Sequence, residues 1–444
     1  MARKKREPET AVIRSVTHDG RGIAEVTGKK VFVAGALEGE TVRFQRRKRR
    51  RNFDEAQLLE VLEPSPQRIE PRCAVFGTCG GCSLQHVSAG FQRSIKQRAV
   101  ADSLQRIGQV EPDTWLEPLY DDSQEGGWYY RRRARLAVKD VAAKGRVLVG
   151  FREAHAPYVC DMHRCEVLAH PVDSLIDPLS ELIAGMSIRS RVPQIEVAVA
   201  DNVTALVFRV LDPPDDEDVR ALVEFARQHG IQVSLQTGGP DTVIPLETGT
   251  AQVPLRYSLP EFSVEIEFGA TDFIQVNGPV NRLMVTHAIG LMKVAAEHRV
   301  LDLYCGIGNF SLPLAKKASY VLGVEGEAHQ VGRGRHNAAL NGIKNCEFRQ
   351  ADLAAIEGNE NWLQEGWDRL LLDPARSGAQ EIIANIEAIG ASRIVYVSCH
   401  PGTLARDAGI LVNEKGYSLE AAGIIDMFPH TGHVESVAVF QKDQ

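Results

Sequence analysis

Three groups of residues in this 444-residue chain have types and spacings that could do chemistry. The first is Cys399, in "RIVYVSCHPGTLARD" (393–407), where a run of β-branched and aromatic residues stops and a helix is due to begin. A buried cysteine would behave as a small hydrophobe and need no special place. A cysteine at a strand tip, beside helix-N-terminal amides, is where a reactive thiolate would be held. Pro401 suits the first turn of that helix.

The second group is a row of acidic residues that follows a glycine turn. "VLDLYCGIGNF" (300–310) places Gly306 and Gly308 directly after a strand, allowing a tight turn and close approach of backbone to a ligand. The spacing is not G-x-G-x-x-G. The next strand, "YVLGVEGE", ends at Glu325, 19 residues after Gly306, where a carboxylate can accept bonds from both hydroxyls of a ribose. A third strand ends at Asp352, placed to meet an adenine amino group. A fourth, in "LLDPAR", sets Asp373 in the crevice at the strand tips. Carboxylates at successive strand ends would repel a pyrophosphate. They suit a ligand with a ribose, an adenine and a cationic end, and S-adenosylmethionine is such a ligand. Taken singly, each could be an exposed turn carboxylate; the set argues otherwise.

The third group is Cys73, Cys79 and Cys82, a C-x5-C-x2-C loop with glycines at 77, 80 and 81. It can wrap one metal centre but needs a fourth thiolate, for which Cys160 and Cys165 are candidates. Spacing alone does not separate zinc from an iron–sulfur centre. Cys305 and Cys346 read as small core fillers. His430 and His433 form H-x-x-H, but no third ligand is evident, and hydrogen bonding within their loop is the better reading.

The elements that must position these groups fall into three regions. Residues 11–62 alternate apolar and polar residues, with turn signals at Asp19-Gly20, Gly28-Lys29 and Glu38-Gly39, predicting five short strands in a small barrel. "PSPQR" (64–68) reads as a linker, and 88–108 as a polar helix. Residues 128–270 mix strands and helices with no clear βαβ rhythm. From 271 onward strands and helices alternate, which predicts a doubly wound α/β sheet. The basic start "MARKKREPET" is followed by no apolar stretch, so it is not a secretory signal, and no run approaches membrane-spanning length. A cytoplasmic location is expected, with the eight cysteines reduced, metal-bound or catalytic. The net charge of −7 hides an asymmetry: residues 1–62 hold 15 Lys and Arg against 9 Asp and Glu, so the remainder carries −13. A basic small domain on an acidic body suggests a localised polyanion site. "RRKRRR" (46–51), expected on a barrel loop, suits phosphate contact. "WYYRRRARL" (128–136) suits base stacking with phosphate binding, against the plainer reading of a strand with exposed arginines.

The segments "FIQVN" (273–277), "LDLYCGIGNFSLPLA" (301–315), "LLDPAR" (371–376), "VSCHPGTLARD" (397–407) and "DMFPHTGHVES" (426–436) resemble the RNA uracil-C5 methyltransferase family. "CAVFGTCGGC" (73–82) resembles the iron–sulfur segment of its large-subunit rRNA branch, and the basic N-terminal region resembles a TRAM domain. The resemblance covers nearly the whole chain, is strongest after 270 and weakest over 170–250. It implies a TRAM/OB-like β-barrel over 1–62, a central α+β iron–sulfur domain over 63–270 (whose helix 88–108 could pack on the catalytic domain), and a Rossmann-like S-adenosylmethionine-dependent methyltransferase domain over 271–444. It implies cofactor contacts from Gln275, Tyr304, Asn309, Glu325, Asp352 and Asp373, with Cys399 as nucleophile and Glu435 as general base. It also implies a [4Fe-4S] cluster on Cys73, Cys79, Cys82 and Cys165, the last preferred because the family's fourth cysteine precedes an apolar pair.

The implied chemistry explains these residue types. Uracil C5 is too weak a nucleophile to take a methyl group unaided. A thiolate adding at C6 makes C5 nucleophilic; after methylation a base removes the C5 proton and the thiolate leaves. Asp373 would bond the uracil imide edge and Arg376 an RNA phosphate. The implied partner is rRNA, as a single-stranded or loop segment with the target uridine flipped out of its stack. A monomer is expected, with no membrane and no obligate protein partner. The alternatives are a tRNA uracil-C5 or RNA cytosine-C5 methyltransferase, or a non-catalytic RNA-binding iron–sulfur protein. Cys399 following "YVS" rather than a proline, and the cysteine loop, argue against the other enzymes. Intact Cys399, Glu435 and Asp373 argue against the last.

Overall fold

The computed structural model describes residues 7–123, 126–247, 249 and 252–442; the basic residues 1–6 lie outside these. Six strands between Glu9 and Glu63 form one curled sheet, in the order Glu9–Val12, Thr41–Arg49, Phe53–Glu63, Lys29–Ala34, Arg21–Val26 and Ser15–Val16. Its period-2 pattern turns Ala24, Val31, Val33, Val42 and Phe44 inward to a small core. The hairpin from Arg21–Val26 to Lys29–Ala34 closes on Thr27 and Gly28, both at positive φ, the backbone of a type I′ turn. The cationic run is not a free loop: Arg46 to Arg49 belong to the strand Thr41–Arg49. Arg46 is buried between Glu9 and Asp54, and Arg47 bonds Gln57. Two acids within bonding reach of Arg46 draw its head inward, which the sequence run alone conceals.

The middle of the chain holds a second six-stranded sheet, ordered Val243–Pro245, Ile231–Gln236, Thr204–Arg209, Gln194–Val199, Arg133–Val141 and Arg146–Gly150. Contrary to the sequence reading, it contains a βαβ unit: Thr204–Arg209 and Ile231–Gln236 are parallel neighbours joined through helix Asp216–His229. Asp215 caps that helix by accepting from the amides of Glu217 and Asp218.

The third sheet has eight strands, ordered Cys346–Gln350, Tyr320–Glu325, Arg299–Leu303, Arg369–Leu372, Arg393–Ser398, Glu435–Lys442, Tyr417–Ile425 and Thr114–Trp115. The first five are parallel; Glu435–Lys442 runs antiparallel to both its neighbours. Chain order reverses beside Arg299–Leu303, so a crevice opens at the carboxyl ends of the central strands. Two apolar layers sandwich this sheet. Helix Ala89–Ser103 packs against Tyr417–Ile425 and helix Pro401–Glu414. A side chain at Gly409 would meet the Gly108 backbone at 2.8 Å, so only glycine permits that approach.

Candidate active site

The crevice encloses a cavity of about 600 Å³ whose wall includes Gln275, Tyr304, Gly306, Asn309, Glu325, Asp373, Arg376, Cys399 and Glu435. Seven of the residues expected to act on cofactor or base therefore face one space. The turn after Arg299–Leu303 is strained by design: Tyr304 has φ +63°, Gly306 +54° and Gly308 +97°. That bend exposes the Gly306 amide, which donates to Glu325 Oε2 at 3.0 Å, while the Gly326 amide donates to Oε1 at 2.7 Å. Glu325 is thus fixed with its oxygens at the strand tips. Asn309 is locked by a reciprocal pair with Asn281 (2.9 and 3.0 Å) and by the hydroxyl of Tyr257 at 3.0 Å. Asp352 sits differently. It accepts from the Ala354 amide at 3.0 Å, capping its own turn, and is not among the residues of the cavity wall.

Cys399 follows the buried strand Arg393–Ser398, and helix Pro401–Glu414 begins two residues later. His400 caps the helix, its Nδ1 accepting from the Thr403 amide at 3.2 Å. Ser436 donates to the Ser398 carbonyl at 3.1 Å, tying the cysteine turn to the strand that opens with Glu435. The resting thiol is not the stabilised thiolate that its helix predicts. Burial, then Glu435 and Asp373, push Cys399 up to about 11, and Arg376 only partly offsets them. Burial also raises Asp373 to about 7 and Glu435 well above the usual carboxylate range, the latter with help from Asp373. Beneath the glycine turn, Asp302 is fully buried and accepts from the Ser311 hydroxyl. Burial and the neighbouring acids push it to about 8. Weakly compensated acids around a cysteine, in an enclosed crevice, can hold a proton, release it and take one back.

A second cavity, of about 940 Å³, meets the first at Cys399, Arg376 and His433. Its far wall is the N-terminal sheet (His18, Lys30, Phe32) and helix Ala89–Ser103 (Arg98, with Arg106 just beyond).

The family described as tRNA (Uracil-5-)-methyltransferase matches residues 128–443. The chain belongs to this family. It is 50% identical over 438 residues to the 23S rRNA (uracil(1939)-C(5))-methyltransferase RlmD of Alkalilimnicola ehrlichii, covering 99% of this chain and 97% of that one. It is 47% identical to the protein of the same description from Xanthomonas campestris pv. campestris, over 98% of each chain. Among solved structures, the Pyrococcus abyssi tRNA (uracil-54, C5)-methyltransferase in complex with S-adenosyl-L-homocysteine shares the fold. Its TM-score is 0.74 at 23% identity, over 97% of this chain and all of that one.

The cysteine loop docks on the central region, with the Gly80 amide donating to the Arg152 carbonyl at 2.9 Å. Its thiols are neighbours. Burial, with Cys79 and Cys73, raises Cys82 to about 11; burial, with Cys82 and Cys79, raises Cys165 to about 12. Cys160 faces Cys79 and is raised to about 11, again chiefly by burial. Among the described residues, no three His, Cys, Asp or Glu side chains stand close enough together to form a ready metal shell.

The arginine-rich segment 128–136 is mostly internal. Trp128 stacks on His430, Tyr130 is buried, Arg132 pairs with Asp201, and Arg133 donates to the carbonyls of Val197 and Ala270. Only Arg131 reaches the catalytic cavity. Sequence reasoning also passed over Phe273, Tyr257 and Phe428 on the cavity wall. Phe273 lies in the same short segment as Gln275, and its 69% exposure is the signal that marks it in the fold.

Proposed function

We propose that this protein transfers a methyl group from S-adenosylmethionine to C5 of a specific uridine in large-subunit (23S) rRNA. The observation that carries the reading is the meeting of Cys399, Glu435 and Asp373 in one cavity with the glycine turn and Glu325. Gln275, Tyr304, Asn309, Glu325 and Asp373 would hold the cofactor, with Asp352 at the rim of the adenine end. Bound there, S-adenosylmethionine supplies an electrophilic methyl group. Cys399 adds through sulfur to C6 of the uracil, Asp373 bonds the imide edge, and Glu435 takes the C5 proton so that the C6–S bond can break. A cysteine resting as a thiol must lose its proton on substrate binding.

In this reading residues 1–62 form a TRAM-like RNA-binding barrel, 63–270 the central iron–sulfur domain and 271–444 the methyltransferase domain. The larger cavity, walled by Lys30, Phe32, Arg98 and Arg106, suits the RNA strand on either side of a flipped uridine. Cys73, Cys79, Cys82 and Cys165 would hold a [4Fe-4S] cluster. The reading rests on an all-sulfur donor set, three thiols from one glycine-rich loop with a fourth from the segment it packs near, Cys160 being the competing fourth ligand. Iron and sulfide analysis of anaerobically purified protein tests this; zinc without iron refutes it. Among the described residues no helix is long and apolar enough to cross a membrane, and the cytoplasm is the proposed location.

The deciding experiment uses 5-fluorouridine-substituted rRNA fragments with labelled S-adenosylmethionine. Fluorine at C5 cannot leave as a proton, so a labelled covalent protein–RNA adduct is expected, and Cys399→Ala removes it while retaining cofactor binding. No adduct, with RNA and cofactor binding confirmed, overturns the reading.

A further inference from the structure

Glu435 opens its strand directly opposite Ile425, so the loop between them, Asp426 to Val434, is the hairpin that delivers the carboxylate. That loop is held largely from outside its own domain. Helix Ala89–Ser103 places Gln92 and Lys96 one turn apart on its buried face, each only 1% exposed. Lys96 Nζ donates to Asp426 Oδ1 at 2.6 Å and to the Phe428 carbonyl at 2.9 Å. Gln92 uses its whole amide: Nε2 donates to the carbonyls of Val87 at 2.8 Å and Leu84 at 3.1 Å and faces His430 Nδ1 at 3.3 Å. Its Oε1 accepts from the His430 amide at 2.8 Å.

The segment just past Cys82 closes the arrangement. The amides of Ser83 and Leu84 both donate to the His430 carbonyl at 2.9 Å. From the central region, Trp128 stacks on the His430 ring with centroids 3.8 Å apart, and the Tyr130 hydroxyl donates to the Pro429 carbonyl at 3.2 Å. His430 itself is bent to φ +64° and its ring is kept neutral chiefly by burial. Gln92, Lys96, Trp128, Tyr130 and His430 are not among the residues lining the catalytic cavity. A buried glutamine with four partners and a buried lysine at a loop carbonyl cost a great deal unless the loop geometry matters.

We propose that Gln92 and His430 are positioning residues: they clamp the Asp426–Val434 loop so that Glu435 reaches the C5 proton, and they link the cysteine segment to that step. This rests on Glu435 being the base. The step concerned is the last one. The C5 proton passes to the Glu435 carboxylate, the C5–H electron pair forms C5=C6, and the C6–S pair returns to Cys399. A misplaced carboxylate leaves earlier steps intact and strands the methylated RNA on the protein.

The test uses full-length Gln92→Leu, which keeps the volume and removes the hydrogen bonds, with rRNA fragments carrying ordinary uridine and methyl-labelled S-adenosylmethionine. Denaturant-stable, methyl-labelled protein–RNA complex is expected to accumulate and to resolve at least about tenfold more slowly than in the parent. Trapping on 5-fluorouridine RNA and iron content stay at parental levels. His430→Ala behaves likewise, and His430→Asn restores release, because asparagine tolerates the positive φ and keeps a short polar side chain facing the Gln92 amide. Should Gln92→Leu not fold, Trp128→Phe keeps every hydrogen bond, thins the stack and must shift resolution in the same direction. Parental resolution, or trapping that falls in step with turnover, overturns the clamp. Glu435→Gln run alongside separates the two failures. If it does not accumulate complex, the base assignment falls; if it does and the clamp variants do not, only the clamp falls.

Discussion

Buried acids in the N-terminal sheet and buried acids in the catalytic crevice have opposite fates. Burial alone would push Asp54 up, but Lys29 at 2.7 Å and Arg46 at 2.6 Å hold it at about 2. Glu40, also buried, is held below its usual range by Arg68 and the Leu37 amide. In the crevice, burial lifts Asp373 to about 7, Asp302 to about 8 and Glu435 well above its ordinary value. No cation is among the causes of those shifts: Asp373 and Glu325 raise Asp302 further while its Ser311 hydrogen bond offsets only part, and Asp373 adds to Glu435. The first arrangement stabilises a fold. The second keeps carboxyls in a state where a proton can be won or lost near neutral pH, at a standing cost in stability.

The sharpest break in that comparison is Glu435→Gln. Turnover is expected to fall by about 10²–10⁴-fold, the usual loss for a general base, with no loss of folding stability. Multiple-turnover methyl transfer and chemical denaturation measured on the same preparation check both halves. A next, smaller effect is Asp54→Asn, which removes the buried charge shared by Lys29 and Arg46. It should cost about 2–4 kcal/mol of folding stability, read from denaturant midpoints. Single-turnover methyl transfer by the folded fraction stays near parental. If the crevice variant destabilises and the barrel variant does not, the contrast between paired and unpaired acids is wrong.

Much of the crevice was legible because its residues sit where local rules are strong. A glycine pair after a strand, an acid at the next strand tip and a cysteine before a proline-started helix each follow from turn chemistry and period-2 strands. The clamp was not legible. Gln92 and Lys96 made helix Ala89–Ser103 read as polar, yet both are buried, because the partners that hold them on the loop lie more than 300 residues away in sequence. The parallel βαβ unit in the middle was hidden because Thr204–Arg209 is buried on both faces and shows no alternation. Within the run 46–51 the burial of Arg46 was hidden for the same reason as that of Gln92: a side chain's partner decides its burial, and Glu9 and Asp54 are not visible in the run itself, while Arg47 to Arg51 stay exposed. Trp128 and Tyr130 were likewise read outward, when the loop they support claims them.

The finest test of the contrast is a pH series on Asp373→Asn. In the folded protein Asp373 holds its proton up to about pH 7, against an ordinary value of 3.8. The folded state therefore binds more protons than the unfolded chain between those limits, and stability falls as pH rises through them. Asparagine cannot ionise, so the variant escapes that fall. Its stability relative to the parent should be near parity at pH 4, climb through pH 5 and 6, and level off above pH 7 at a gain of about 1–3 kcal/mol. Turnover is lost at every pH, since the imide edge of the base meets the wrong donor and acceptor pattern. A difference curve that is flat from pH 4 to 8 would mean that Asp373 is already paired by something as effective as Arg46 is for Asp54, and the distinction between the two regions would collapse.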